Sequence, residues 1–255
     1  MTKEKVKMIL GSLFRKLGYQ VSVKRLDNLF EPDMEHEFKK IYSQCKPYTM
    51  TPLSRMYSLY KATKYISQNN IPGDIVECGV WKGGSSMISA YTLLALRDTS
   101  RNFYLYDTYE GMSKPTDKDS SFFSKKNTLS KWKELQADDH KTWDYSPLEE
   151  VRTNILSTRY PKEKIQFIKG KVEDTLPNTI PKKISILRLD TDWYESTYHS
   201  LVHLFPLLSS GGILIVDDYG HWKGAHDAVD QYFKEKKIPI LLNRIDYSGR
   251  IGVKV

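Results

Sequence analysis

Short apolar runs alternate along this chain with longer stretches whose apolar positions recur every three or four residues. The short runs predict strands at Ile75–Cys78, Phe103–Tyr106, Ile165–Ile168, Ile184–Leu189 and Ile213–Val216. The longer stretches predict helices over Ser85–Leu96, Ser146–Tyr160, Glu195–Leu208 and Ala225–Lys236. A further helix begins near Pro52, with Thr51 placed to cap it, and stops at Ile71, Pro72 and Gly73. Gly211 and Gly212 read as a turn before the fifth strand. Pro239–Ile245 and Arg250–Val255 read as a hairpin closed over Tyr247, Ser248 and Gly249. Strands alternating with helices imply a parallel sheet covered on both faces, with ligands at the carboxyl ends of the strands. The hairpin adds antiparallel pairing at the end of the sheet.

Two segments stand outside this alternation. Met1–Lys46 carries apolar positions at helical spacing (Val6, Ile9, Leu10, Leu13, Phe14, Leu17, then Phe30, Phe38, Ile41, Tyr42), which suits a helical cap or an oligomerisation arm. Tyr109–Asp144 is polar, charged and aromatic, with few helix or strand signals before Leu129. So long an irregular stretch is expected to be a lid or binding loop. The expected organisation is a helical extension over residues 1–50 and one α/β domain over 51–255, with a lid at about 109–145.

Composition narrows the partners. The chain has 255 residues and a formal net charge of +8. Its lysines are scattered and no nucleic-acid module interleaves them, so a solvated basic surface is expected and nucleic acid is not. An acidic or phosphate-linked glycan acceptor would also suit that charge. No apolar run approaches the roughly 18 residues of a membrane-spanning helix. The N-terminus lacks the small-residue cleavage site of a secretory signal. Cys45 and Cys78 make no disulfide framework. A cytoplasmic location is the expectation.

Candidate chemistry sits at the strand ends. Asp74–Ser86 runs from an apolar strand through Glu77, Gly79 and Gly83 to serines at a helix start, the form of a nucleoside-binding corner. It lacks the glycine and lysine spacing of triphosphate loops and the three-glycine dinucleotide pattern. Its Glu-x-Gly-x-x-x-Gly spacing resembles motif I of S-adenosylmethionine (AdoMet)-dependent methyltransferases. Asp107 ends the second strand, where a ribose is usually held. Asp190 ends the fourth strand, and Asp217 and Asp218 the fifth. Three carboxylates brought together raise one another's pKa unless a cation intervenes, and an oxygen-bound divalent ion removes the conflict. The alternative is that these acids cap helices and pair with Lys223, Arg188 or Arg244. His221 follows the acid pair without an assigned partner and reads as a loop residue. No Cys/His spacing suggests zinc.

Taken together, Gly73–Gly84, Tyr106–Met112, Glu173–Pro177, Leu187–Thr197 and Gly211–Gly220 resemble the macrocin O-methyltransferase family, in the family's order. The resemblance covers most of Thr51–Phe233. It implies a class I methyltransferase fold: a Rossmann-like, mostly parallel seven-stranded sheet with helices on both faces and an antiparallel last strand. It implies a Mg²⁺-dependent methylation of a sugar hydroxyl of a glycan, glycosylated natural product or nucleotide sugar, with AdoMet as donor. Carried over by position, Glu77, Gly79, Trp81, Gly83 and Ser85 surround the methionine end of AdoMet, and Asp107 holds its ribose. Glu173 or Asp174 approaches the adenine, and Met50 and Thr51 cover the cofactor. Asp190, Asp217 and Asp218 hold Mg²⁺, and Asp190 doubles as general base, with Asp192 as the alternative. Family members often form dimers or larger assemblies, so a homo-oligomer is expected. The rivals are a phenol- or catechol-type O-methyltransferase and a non-catalytic AdoMet-binding protein of a biosynthetic complex.

Overall fold

The computed structural model describes residues 30–124, 126–136 and 143–255, together with 12, 14 and 18. The helical positions expected at Val6, Ile9, Leu10, Leu13 and Leu17 lie outside the described residues. The chain divides into two compact units, Met1–Lys39 and Lys40–Val255. In the first, Phe30 meets Phe38 edge to face at 6.3 Å. Among the described residues no helix is long and apolar enough to cross a membrane.

The described elements in chain order are α1 (His36–Cys45), α2 (Leu53–Gln68), β1 (Asp74–Cys78), α3 (Gly84–Ala95), β2 (Phe103–Asp107) and α4 (Thr128–Gln136). They continue with α5 (Leu148–Leu156), β3 (Ile165–Lys169), α6 (Val172–Thr175), β4 (Ile184–Leu189), α7 (Tyr194–Leu204), β5 (Leu208–Val216), α8 (Lys223–Lys236), β6 (Asn243–Arg244) and β7 (Arg250–Val253). The sheet has seven strands in the order β3-β2-β1-β4-β5-β7-β6. All pairs are parallel except β5 with β7 and β6 with β7. This is the expected mostly parallel sheet with its antiparallel end.

Strand alternation sorts the core. Val76, Cys78, Leu187 and Leu214 face the side where Leu201 and Leu204 of α7 and Val229 and Tyr232 of α8 pack. The residues between them, among them Ile75, Glu77, Ile186 and Arg188, face the other side. β4 is buried throughout and β1 from Ile75 onward, as central strands of a covered sheet should be. Glu77 and Arg188 are direct partners across β1 and β4, so two opposite charges meet inside an otherwise apolar layer.

Three local expectations need correction. Pro206 cannot continue a helix, so α7 ends at Leu204 and a 3₁₀ turn follows, Phe205–Leu207. β5 then begins at Leu208 and runs through Gly211 and Gly212, which were expected as a turn. Gly211, with φ +78°, kinks the strand while its N–H still donates to the Lys254 carbonyl at 2.6 Å. Thr51 does not cap α2, whose start carries no side-chain cap; its hydroxyl instead accepts from Arg188 Nη2 at 3.2 Å.

The register places the strand tips side by side. Gly79 N–H donates to the Tyr106 carbonyl (2.9 Å), Asp190 N–H to the Cys78 carbonyl (2.8 Å) and Asp217 N–H to the Leu189 carbonyl (2.9 Å). The loops leaving β1, β2, β4 and β5 therefore open from one edge.

Candidate active site

A cavity of about 260 Å³ lies at that edge. On its β2–β3 side it is lined by Gly79, Trp81, Asp107, Gly170, Lys171 and Glu173; on its β4–β5 side by Arg55, Asp190, Asp192, Trp193, Asp217 and Asp218. Met50 and Thr51 also line it.

Close backbone approach shapes the first half. Gly79 has φ +84°, and a Cβ there would stand 1.9 Å from the Asp190 carbonyl oxygen, so only glycine lets β1 and β4 end together. Asp107 Oδ2 accepts from Val80 N (2.7 Å) and Trp81 N (3.0 Å), and Oδ1 from Tyr109 N (2.7 Å). The aspartate thus folds the loop after β1, which holds Trp81 at φ +47°, and its Oδ1 also accepts from Thr108 Oγ1 at 3.4 Å.

The second half is built on a buried charge network. Arg188 lies beneath the cavity with a side chain only 3% exposed. Its Nη1 meets Glu77 Oε1 at 2.5 Å, and its Nη2 meets Asp190 Oδ2 at 2.7 Å and Asp217 Oδ2 at 2.9 Å. Arg55, from α2, places Nη1 2.8 Å from Asp217 Oδ2 and Nε 2.9 Å from Asp246 Oδ2. Ser86 Oγ donates to Glu77 Oε2. Burial pushes Glu77 up to about 7, while Arg188 and Ser86 pull it back.

Negative charge remains in excess. Glu77, Asp190, Asp192, Asp217 and Asp218 face two guanidiniums. Burial raises the Asp192 carboxyl well above its ordinary range, helped by Asp190 and Asp144. Burial does the same to Asp218, helped by Asp192, Asp190 and Asp217. Asp217 is raised by burial too, against the pull of Arg188. Asp217 Oδ1 and Asp218 Oδ2 are buried with no hydrogen-bond partner. Oxygen donors that are anionic, crowded and partly unsatisfied fit a hard divalent cation in charge and kind. As placed, however, no three such side chains among the described residues form a group that could hold a metal ion. The arginines account for this: Asp190 and Asp217 each turn one oxygen to Arg188.

Of the residues singled out in the sequence, Thr51, Gly79, Trp81, Asp107, Glu173, Asp190, Asp217 and Asp218 line the cavity. Four do not. Glu77 is buried under Arg188, and Ser85 points its hydroxyl at Met56 Sδ, 3.8 Å away. Gly83 starts α3 with φ +90° against Ile155, and Asp174 is exposed on α6. Arg55, Asp144, Met112 and Trp193 belong to the cavity and were not read from the sequence. The sequence reading has Arg188 only as a partner of the acids. A positive charge inside a strand as apolar as β4 was the available signal, since such a charge needs a buried partner.

The described part of residues 109–145, the stretch expected as a lid, is tied to the α7 and α8 starts. Asp119 Oδ1 accepts from Tyr194 N (2.8 Å) at the start of α7, and its Oδ2 accepts from Thr116 N (2.7 Å) and Thr116 Oγ1 (2.8 Å). Ser121 bridges Trp222 in antiparallel fashion. Trp143, Trp193 and Trp222 pack together at 5.0 to 6.0 Å between ring centroids. The Trp193 indole N–H donates to the Ser113 carbonyl at 2.9 Å.

Known proteins share this architecture. Residues 44–251 match the macrocin O-methyltransferase (TylF) family. The chain is 34% identical over 202 residues, 79% of its length, to the 8-demethyl-8-(2,3-dimethoxy-alpha-L-rhamnosyl)-tetracenomycin-C 4'-O-methyltransferase of Streptomyces olivaceus, covering 74% of that protein. It is 28% identical over 244 residues to the demethyldecarbamoylnovobiocin O-methyltransferase of Streptomyces niveus, spanning 96% of this chain and 89% of the relative. The solved structure of the O-methyltransferase NovP superposes with a TM-score of 0.70 at 29% identity, covering 82% of each chain. The chain belongs to the macrocin O-methyltransferase family, and with it to the AdoMet-dependent O-methyltransferases.

Proposed function

We propose that this enzyme methylates a sugar hydroxyl of a glycosylated acceptor. The observation that supports this most is the placement of Asp190. It leaves β4 directly beside Gly79 and the loop after β1, so one carboxylate stands at the junction of the two halves of the cavity. Gly79, Trp81, Asp107 and Glu173 form the side suited to AdoMet, the methyl donor. The relatives lend the acceptor class, since one is named for a rhamnosyl tetracenomycin.

The reaction follows from what the residues can do. Arg188 fixes one oxygen of Asp190 and so orients its carboxylate. Asp190 takes the proton of the acceptor hydroxyl as that oxygen bonds to the methyl carbon. The carbon–sulfur bond breaks, leaving S-adenosylhomocysteine and a methyl ether. The methyl is already activated as a sulfonium, so positioning supplies much of the rate. Asp190, Asp217 and Asp218 would hold Mg²⁺, which when bound makes a neighbouring hydroxyl more acidic.

The test is methyl transfer from isotopically labelled AdoMet to a panel of sugar glycosides and phenols, read by mass spectrometry. Label on a sugar oxygen is the expected result, with Asp190→Asn losing transfer while still binding AdoMet. Transfer to phenols alone would replace the sugar reading with the phenolic one. An Asp190→Asn enzyme of full activity would remove the base assignment.

A further inference from the structure

Beyond the reacting centre, three aromatic rings from distant segments meet at the surface. Phe123 of the lid is 66% exposed and Tyr247, between β6 and β7, is 52% exposed. Phe123 lies 5.6 Å from the ring of His221 and 5.4 Å from that of Tyr247, and His221 and Tyr247 are 6.0 Å apart. Tyr247 Oη and His221 Nδ1 are 3.4 Å apart. Exposed rings clustered in this way mark a contact surface.

Its position identifies the occupant. The Arg55 guanidinium lies 5.9 Å from the centre of the Tyr247 ring, and the same guanidinium holds Asp217 Oδ2 at 2.8 Å. Arg55 itself lines the cavity. The backbone ties the cluster to the same acids: His221 N–H donates to the Asp218 carbonyl at 3.0 Å, and Ser248 Oγ donates to the Asp217 carbonyl at 2.7 Å. Phe123 is held there by its neighbour, since Phe122 N–H donates to the His221 carbonyl at 3.0 Å. The rings thus stand next to the β5 side of the cavity, joined to it through Arg55 and the backbone of Asp217 and Asp218.

We propose that Phe123, His221 and Tyr247 form a stacking platform for the part of the acceptor next to the methylated sugar, a flat aglycone or a second ring. Such a platform chooses among acceptors that carry the same reacting sugar. This rests on the sugar-acceptor reading above and adds a specificity determinant to it.

The experiment uses the full chain loaded with S-adenosylhomocysteine, which cannot transfer a methyl. Binding of 4-nitrophenyl α-L-rhamnoside and methyl α-L-rhamnoside is measured by saturation-transfer NMR titration. The wild type should bind the aryl glycoside about tenfold more tightly, and Phe123→Ala with Tyr247→Ala should bring the ratio near one, since each aromatic stack lost is worth a few-fold in affinity. Unchanged S-adenosylhomocysteine affinity in the variant checks its fold. A wild type without preference, one that binds neither glycoside, or a variant that keeps the ratio overturns the platform. So does a variant that turns a wild-type oligomer into a monomer on sedimentation, because the rings would then be a subunit contact. Failure of the sugar reading is separate: it shows as absence of label on every sugar in the transfer assay, whatever the binding ratio.

Discussion

Replacing Arg188 by methionine tests the charge network at its centre. The side chain touches Glu77, Asp190 and Asp217, and it is the cation that Glu77 faces across β1 and β4. Asp217 would keep Arg55, and Asp190, with a side chain 30% exposed, would keep some solvent. Glu77, 3% exposed, would lose its only ion-pair partner among the described residues. Removing one partner of a buried pair costs up to about 3–5 kcal/mol when the other stays charged. The loss should therefore be largest above pH 7, where Glu77 is ionised beside Arg188, and smaller below it, where Glu77 takes up a proton. In a domain of this size the full loss lowers Tm by roughly 10 °C. Thermal and denaturant unfolding of Arg188→Met measure the loss, and Arg188→Lys provides a milder step should the methionine variant not fold. Adding Glu77→Gln should restore part of the stability, since the stranded charge is then gone. The double-mutant cycle should therefore give a coupling of about 1–3 kcal/mol. Strictly additive losses, or a single-variant loss below about 1 kcal/mol, would refute the idea that Arg188 acts by compensating Glu77.

Four further outcomes follow from the geometry. Gly79→Ala should lose AdoMet binding measured by calorimetry, as its methyl would stand 1.9 Å from the Asp190 carbonyl oxygen; near-normal affinity would show that β1 and β4 can part cheaply. Asp119→Ala removes the acceptor for Tyr194 N and Thr116, so about 1–2 kcal/mol of stability should go, with KM for the acceptor rising more than kcat falls; an unchanged KM would mean the lid does not bear on the acceptor. Chelator should lower turnover, and Mg²⁺ should raise the Tm of the wild type but not of Asp218→Asn; a Tm indifferent to Mg²⁺ in both rejects the metal site. Glu77, lifted from 4.5 to about 7 in the folded state, is protonated more readily there than in the unfolded chain, so its contribution to stability falls as pH rises between those values. That amounts to about 3 kcal/mol at most, and Glu77→Gln should flatten the wild-type decline over pH 4.5–7 in urea unfolding; parallel profiles would assign the decline to other groups.

Much of the fold was legible because the core strands are short, mostly apolar runs, and each ends near a glycine or an acid that changes the backbone. Leu187 to Asp190 could be placed without knowing its neighbours. The less legible features each depend on a partner far away in the chain. Glu77 reads as a ligand at a strand tip until β4 is set beside β1, and then Arg188 takes it. Thr51 reads as a helix cap until that same guanidinium reaches its hydroxyl. Gly211 and Gly212 read as a turn, but Lys254 pairs with both and draws them into β5. In each case a local preference was sound and a tertiary contact outweighed it.

The two halves of the cavity differ in the same respect. The β1–β2 half comes from the ends of two neighbouring strands: Val80 and Trp81 fold over Asp107, and Gly79 fixes where the loop begins. The β4–β5 half is assembled on Asp217 and Asp218 by Arg55 from α2, by His221 after β5 and by Ser248 before β7. The Arg55 and Ser248 contacts, 162 and 31 residues apart in the chain, have no sequence spacing that announces them. A substitution at Phe123 or Tyr247 meets the acceptor side without touching Gly79 or Asp107. Acceptor choice can therefore change while the donor side stays constant, and the platform rings are where a change of acceptor should first be sought.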